Sequence, residues 1–200
     1  MKIGILGGTF DPVHWGHLFL AEVAREAVNL DIVYFLPAKI PPHKKKAHAM
    51  AEDRLAMLEM AIAENPHFAI AFWDLNRETP AYTYQTINEI KKCFPEDELY
   101  FIVGGDSLRD FGTWVNPEEI IKLARIVGAS RPGYDSRNLL TKINRRYPFT
   151  KDRISELEVP ALAISSTDIR TRVKNNKSIR YLLPDEIRLF IKDNKLYQNK

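Results

Sequence analysis

The chain has 200 residues, 45% hydrophobic and 28% charged, with 29 basic against 26 acidic side chains and a net charge of +3. That is enough for a real core, with no apolar run near the ~18 residues of a membrane span and too little charge asymmetry to call for nucleic acid or a membrane surface. A lone Cys93 excludes an internal disulfide and a cysteine metal cluster, and a strand-like start in place of a signal peptide makes a cytoplasmic location the default expectation.

Residues 2–17 read KIGILGGTFDPVHWGH. Ile3, Ile5 and Leu6 lie in a short apolar run consistent with a buried strand. Gly7 and Gly8 end it and let the backbone turn tightly. From about His14 the pattern becomes helical, with Leu20, Val23, Ala24, Ala27 and Val28 on one apolar stripe. His14 and His17 share a face at the helix start. A helix N-terminus offers unpaired N–H groups and positive potential, which suits phosphate, and Thr9 adds a hydroxyl. The string is neither the dinucleotide GxGxxG nor a P-loop. Taken singly, either histidine would more often merely cap or pack its helix.

Asp31–Leu36 reads as a second strand, ended by Pro37. Ala38–Ala49, AKIPPHKKKAHA, carries two prolines and four lysines, so it reads as an exposed basic loop. Met50–Glu64 reads as a helix with Ala51, Leu55, Leu58 and Ile62 inward, stopped at Asn65-Pro66. Phe68–Trp73 is a third strand. A helix follows, with Pro80 and Thr83 suited to its start and Ile87, Ile90 and Phe94 inward.

Glu98–Val103 is the fourth strand, and Gly104-Gly105-Asp106-Ser107 stands at its carboxyl end. Asn116-Pro117-Glu118-Glu119 marks another helix by its cap, first-turn proline and early acids. Arg125–Ala129 is a fifth strand, running into Ser130-Arg131-Pro132-Gly133. Asp135–Arg153 is charged and irregular, with a short helix expected around Leu139–Arg146. Val159–Ile164 reads as extended. Ser165–Arg170 then opens a helix, and Leu183, Ile187, Phe190 and Ile191 give a last amphipathic one after Pro184.

Strands alternating with helices imply an α/β fold: a Rossmann-like, doubly wound parallel sheet of about five strands, helices on both faces, and a small helical C-terminal part. One domain over residues 1–200 is expected, with the ISSTDIR and helical portion from about residue 160. Ligands of such sheets bind outside the carboxyl ends of the strands. Gly7-Gly8, Pro41–Lys44, Gly104–Ser107 and Ser130–Gly133 all follow expected strands. Ser166 and Thr167 offer hydroxyls and free N–H groups at a helix start, and Arg170 can fork two donors onto phosphate. Alone, that run would more often be an ordinary cap with a surface arginine.

GGTFDPVHWGH resembles the GGTFDPxHxGH motif of nucleotidyltransferases with an HxGH element. With IPPHK, ETPAYTYQT, the GGDSL run, Trp114, SRPGY, ISSTDIR and YLLPDEI, residues 3–190 resemble the bacterial nicotinate-mononucleotide adenylyltransferases. The resemblance implies adenylyl transfer from ATP to nicotinate mononucleotide, giving deamido-NAD and pyrophosphate. It implies Mg²⁺ carried on the ATP phosphates, no protein metal site and no covalent intermediate. It leaves the oligomeric state open, a homo-oligomer included.

Carried over residue by residue, the resemblance sets Thr9, His14, His17, Ser166, Thr167 and Arg170 on the ATP phosphates, and Gly7, Gly8 and Phe10 around the loop. His14, His17, Lys44 and Arg170 would supply the catalytic cations and donors. Gly104, Asp106, Ser130 and Arg131 would lie near ATP. Lys44, Thr83, Tyr84, Asp106 and Trp114 would face the pyridine nucleotide, Trp114 stacking on the ring. Asp11 would fix the loop rather than act as a base. Competing readings are a phosphopantetheine adenylyltransferase, which usually has Thr where His14 stands, and an inactive nucleotide-binding sensor, against which His14, His17, Lys44 and Arg170 all stand intact.

Overall fold

Side chains point alternately to the two faces along Lys2–Gly8 (β1), so that Ile3 and Ile5 enter one core cluster and Leu6 enters another. The strand is therefore covered on both faces, as a central parallel strand must be. The computed structural model describes residues 1–39, 47–77, 82–130, 145, 147, 152–160 and 162–198, without the side chains of Asp106 and Ser130.

The elements follow β1 in order as α1 (Trp15–Val28), β2 (Ile32–Pro37), α2 (Ala51–Ile62), β3 (Phe68–Ile70) and α3 (Thr83–Cys93). Then come β4 (Glu98–Gly104), α4 (Gly105–Asp110), a 3-10 turn (Phe111–Thr113), α5 (Pro117–Leu123) and β5 (Arg125–Ser130). The described elements end with β6 (Ile154–Glu158), α6 (Ser166–Lys174) and α7 (Asp185–Asp193). The expected helix around residues 139–146 falls almost wholly outside the described residues.

The six strands form one sheet in the order β3-β2-β1-β4-β5-β6, every pair parallel. This is the doubly wound order, and its direction reverses between β1 and β4. Helices α1, α2, α6 and α7 contribute to the cluster holding Leu6, Val33 and Val127. Helices α3, α4 and α5 contribute to the one holding Ile3, Ile5 and Phe101. Among the described residues no helix is long and apolar enough to cross a membrane.

Three readings shift. The sheet has six strands where about five were expected. The sixth, ISELE, carries only two apolar residues without a regular alternation and lies at an edge, so it is easily lost in a charged run. In α1 the buried residues are Leu18, Ala21 and Ala24, and Ala27 is exposed. Apolar residues are spread widely around that helix, so spacing alone does not settle which stripe turns inward. In α2 the buried residues are Arg54, Met57, Leu58 and Ile62, so the expected inward Leu55 gives way to Arg54, a charged side chain only 1% exposed.

Candidate active site

The turn after β1 is built on absence of side-chain bulk. A Cβ on Gly8 would stand 2.8 Å from the Phe10 ring, so only glycine lets that ring close over the strand end. Phe10 takes a left-handed backbone, φ 49°, and its buried ring packs on Phe35 at 5.7 Å and edge-on to His17 at 5.1 Å. His14 precedes α1 as its cap residue in extended conformation, with no side-chain cap bond. Its ring stacks on His17, centroids 3.8 Å apart and planes 27° apart. Gly16 makes room for this: a Cβ there would press on the His14 ring at 3.1 Å.

His14 is 6% exposed, and burial lowers its pKa from 6.5 to about 4. It is therefore a neutral imidazole at pH 7, and its buried Nδ1 has no hydrogen-bond partner among the described residues. The expectation that the α1 start is open to phosphate needs one adjustment. The Trp15 N–H already donates to the Leu182 carbonyl at 3.2 Å.

The next two residues of the turn form a junction. Asp11 is 3% exposed. Its carboxylate accepts from the N–H of His48 at 2.7 Å, the N–H of Ala49 at 3.1 Å and the Tyr197 hydroxyl at 2.8 Å. Its main-chain oxygen accepts from Arg170 Nη1 at 2.6 Å. The adjacent Pro12 oxygen accepts from the Ser166 hydroxyl at 2.9 Å. Arg170 Nη2 also donates to the Thr167 hydroxyl at 3.2 Å. So α6 is clipped to the Asp11–Pro12 turn, and the two candidate phosphate motifs meet there. The cap of α6 is Ser165, whose hydroxyl accepts from the Asp168 N–H, leaving the Ser166 hydroxyl for the turn.

Beneath the turn lies Arg54. Its Nη1 donates to the Thr9 oxygen at 2.7 Å and the Ala38 oxygen at 2.8 Å, tying the chain after β1 to the chain after β2. Burial lowers its pKa, while the charge of Asp11 acts the other way.

Across the switch point, β4 ends at Gly104, directly paired with β5 and one strand from Gly8. A Cβ on Gly104 would meet nothing within 4 Å, so open space lies beside this strand end. Trp114 is half-buried, leaning on Phe111 at 5.4 Å and Phe101 at 5.9 Å. Thr83 is the first residue of α3, and Tyr84 packs on the same core cluster as Trp114. The Thr86 hydroxyl donates to buried Asp74 at 2.6 Å, fixing α3 to the chain after β3. These groups sit on the sheet face opposite the cluster that includes Phe10 and Val13. Lys44 and Arg131, and the side chains of Asp106 and Ser130, lie outside the described residues. Among the described residues, no group of three or more His, Cys, Asp or Glu is placed to hold a metal ion.

The cytidylyltransferase-like family model matches residues 5–172. A probable nicotinate-nucleotide adenylyltransferase of Desulfitobacterium hafniense is 43% identical over 98% of this chain and 96% of its own length. Another, of Geobacillus thermodenitrificans, is 45% identical over 98% of this chain and 86% of its own. The chain belongs to the nicotinate-nucleotide adenylyltransferases of the cytidylyltransferase-like family. Plasmodium falciparum nicotinic acid mononucleotide adenylyltransferase, solved in complex with NaAD, shares the fold at TM-score 0.80 and 18% identity, covering 98% of this chain and 97% of that one.

Two residues bonded to the turn after β1 were not singled out from the sequence. Arg54 sat within an expected helix, where only a break in the inward apolar stripe signalled it. Tyr197 followed the last apolar repeat and carried no signal of its own.

Proposed function

We propose that this chain transfers the adenylyl group of ATP to nicotinate mononucleotide, forming deamido-NAD and pyrophosphate in NAD biosynthesis. The observation that carries the reading is the junction at Asp11–Pro12, where Ser166 and Arg170 bring the ISSTDIR helix against the histidine turn. The substrate is supported by relatives of that name matched over nearly the whole chain.

The chemistry asks for positioning more than for a base. A phosphate monoester has its second pKa near ~6 and is already largely ionised at neutral pH. One of its oxygens attacks the α-phosphorus of ATP, and the bond to the bridging oxygen breaks. The electron pair leaves with pyrophosphate. The enzyme holds two polyanions in line and stabilises the charge that develops.

In this reading His14, His17, Thr9, Ser166, Thr167 and Arg170 address the ATP phosphates. Gly7, Gly8 and Phe10 shape the turn, and Lys44 closes on the anionic substrates. Gly104, Asp106, Ser130 and Arg131 border the rest of ATP, and Thr83, Tyr84 and Trp114 border the pyridine nucleotide. His14 enters as a neutral imidazole before nucleotide binds, because burial lowers its pKa to about 4.

Mg²⁺ bound to the triphosphate would neutralise the leaving pyrophosphate. The residues fit a metal carried by substrate, because buried Asp11 has both carboxylate oxygens committed to protein donors. Free nucleotides as substrates fit a cytoplasmic enzyme.

The test offers ATP with nicotinate mononucleotide, nicotinamide mononucleotide and phosphopantetheine in turn, following pyrophosphate release. Release with the pyridine mononucleotides alone is expected. Release driven by phosphopantetheine would overturn the reading.

A further inference from the structure

Beyond α7 the chain makes two departures from ordinary backbone. Lys195 and Tyr197 both take left-handed conformations, φ 53° and 62°. For a bulky aromatic residue this is unfavourable and persists only where the surroundings fix it. Leu196 N–H donates to the Ile191 oxygen at 3.0 Å, and Asn194 Nδ2 donates to the Phe190 oxygen at 3.0 Å. Leu196 and Tyr197 then pack against the same core cluster as Phe10 and Val13. These turns carry the Tyr197 hydroxyl to Asp11 Oδ1, 2.8 Å away. Burial raises the Tyr197 pKa far above that of an ordinary phenol, with the Asp11 charge adding to the effect. The hydroxyl therefore stays a donor over any working pH.

The tyrosine is more than filler for the core, because of what Asp11 does. Its carboxylate is held from three directions, two of them main-chain N–H groups of His48 and Ala49. Tyr197 supplies the side-chain bond, and with it the carboxylate plane has little freedom left. The same residue's main-chain oxygen receives Arg170, and the following oxygen receives Ser166. Asp11 and Arg54 are buried and Tyr197 and Arg170 half-buried, and the charges of both arginines bear on the Tyr197 hydroxyl.

We propose that Tyr197 is a positioning residue for adenylyl transfer: its hydroxyl fixes Asp11, and Asp11 in turn sets the Arg170 guanidinium and the turn before His14. The proposal rests on the reading that Arg170 and His14 address the ATP phosphates. Tyr197 itself touches no reacting atom. Its effect reaches the reaction only through Asp11, and this distinguishes it from a tyrosine that merely packs.

The test is Tyr197→Phe, which keeps the ring and removes the hydroxyl, beside Asp11→Asn and the double variant. Tyr197→Phe should lower Tm by only about 2–4 °C, the scale of one buried hydrogen bond in a chain of this size. Its kcat/KM for ATP should fall by roughly 10- to 150-fold, the scale of a hydrogen bond to a charged group. KM for nicotinate mononucleotide should hold. The double variant should be no worse than Asp11→Asn, because both changes cut one link.

Calorimetric affinity for a non-hydrolysable ATP analogue, measured below the lowest melt of the set, should show the same order. That binding readout does not depend on which phosphate ester is the acceptor, so failure of the substrate reading would be seen separately. A Tyr197→Phe enzyme within two-fold of the parent in kcat/KM and in analogue affinity overturns the proposal. So do losses that multiply in the double variant.

Discussion

Arg170 Nη1 stands 2.6 Å from the main-chain oxygen of Asp11, 159 positions earlier in the chain. With the Ser166 bond to the Pro12 oxygen, this bond joins the helix that opens with Ser166 to the turn that opens α1. It gives the guanidinium a fixed direction before any nucleotide arrives, the kind of preorganisation that charge stabilisation requires.

Arg170→Ala should therefore weaken ATP more than AMP, by about 1.5–3 kcal/mol, the range for a charged hydrogen bond. Arg170→Lys restores a charge but not the fork that holds Asp11 and Thr167 together, and should recover only part of the loss. Binding of both nucleotides to the two variants reads this directly. Equal weakening of AMP and ATP would contradict a contact beyond the α-phosphate.

His17 presents its ring against His14 and Phe10 on the first turn of α1. If it acts where charge develops, His17→Ala should lower kcat by roughly 10²–10³ with little change in KM. Steady-state kinetics with ATP varied decide it. A rise in KM alone would assign His17 to ground-state binding.

Acid should loosen the protein through His14. Its folded pKa of about 4 lies below the free value of 6.5 because burial disfavours the imidazolium. Between those values the unfolded chain takes up a proton that the folded chain refuses. Stability is then fully present above pH 6.5 and drains away as pH falls towards 4, by about 3 kcal/mol for the whole shift. Urea melts at pH 7.5, 6.0 and 4.5 measure the slope, and His14→Gln should flatten it. An unchanged slope in that variant would place the acid sensitivity elsewhere.

Trp114 and the start of α3 bear on substrate choice. The indole packs on Phe101 and Phe111 and is half-buried, and the proposed function has it stack on the pyridine ring. N–H groups at the start of α3 suit a carboxylate better than an amide, whose NH₂ would face other donors at a cost of about 1–3 kcal/mol. Nicotinate mononucleotide should accordingly be preferred over the nicotinamide form by roughly tens- to a thousand-fold in kcat/KM. Trp114→Ala should weaken both pyridine mononucleotides together. Near-equal use of the two by the parent enzyme would sink the carboxylate reading and leave adenylyl transfer standing.

What could be read in the sequence was whatever is local. A glycine pair after an apolar run marks the end of β1, and Ser165–Arg170 marks the start of α6, because turns and caps are decided by neighbouring residues. Asn116 and Pro117 announce α5 in the same way, although the asparagine side chain makes no cap bond. The alternation of strands and helices implied a parallel sheet, and so the side on which the site lies.

Arg54 and Tyr197 were hidden for the opposite reason. Their partners are 45 and 186 positions away, and nothing in their immediate surroundings specifies a bond to a distant carbonyl or carboxylate. Trp114 is half-buried against Phe101 and Phe111, contacts that its local sequence does not announce.

The bond from Tyr197 to Asp11 also has a consequence in time. A ribosome adding about 5–20 residues per second needs roughly 10–40 s to reach the second partner after making the first, 186 positions apart. Throughout that interval the strand, the turn and the first helix can exist with Asp11 lacking its phenol. A nascent chain can thus look like most of an enzyme while its turn still lacks a brace. The brace arrives only once residue 197 has been made and is laid against residue 11.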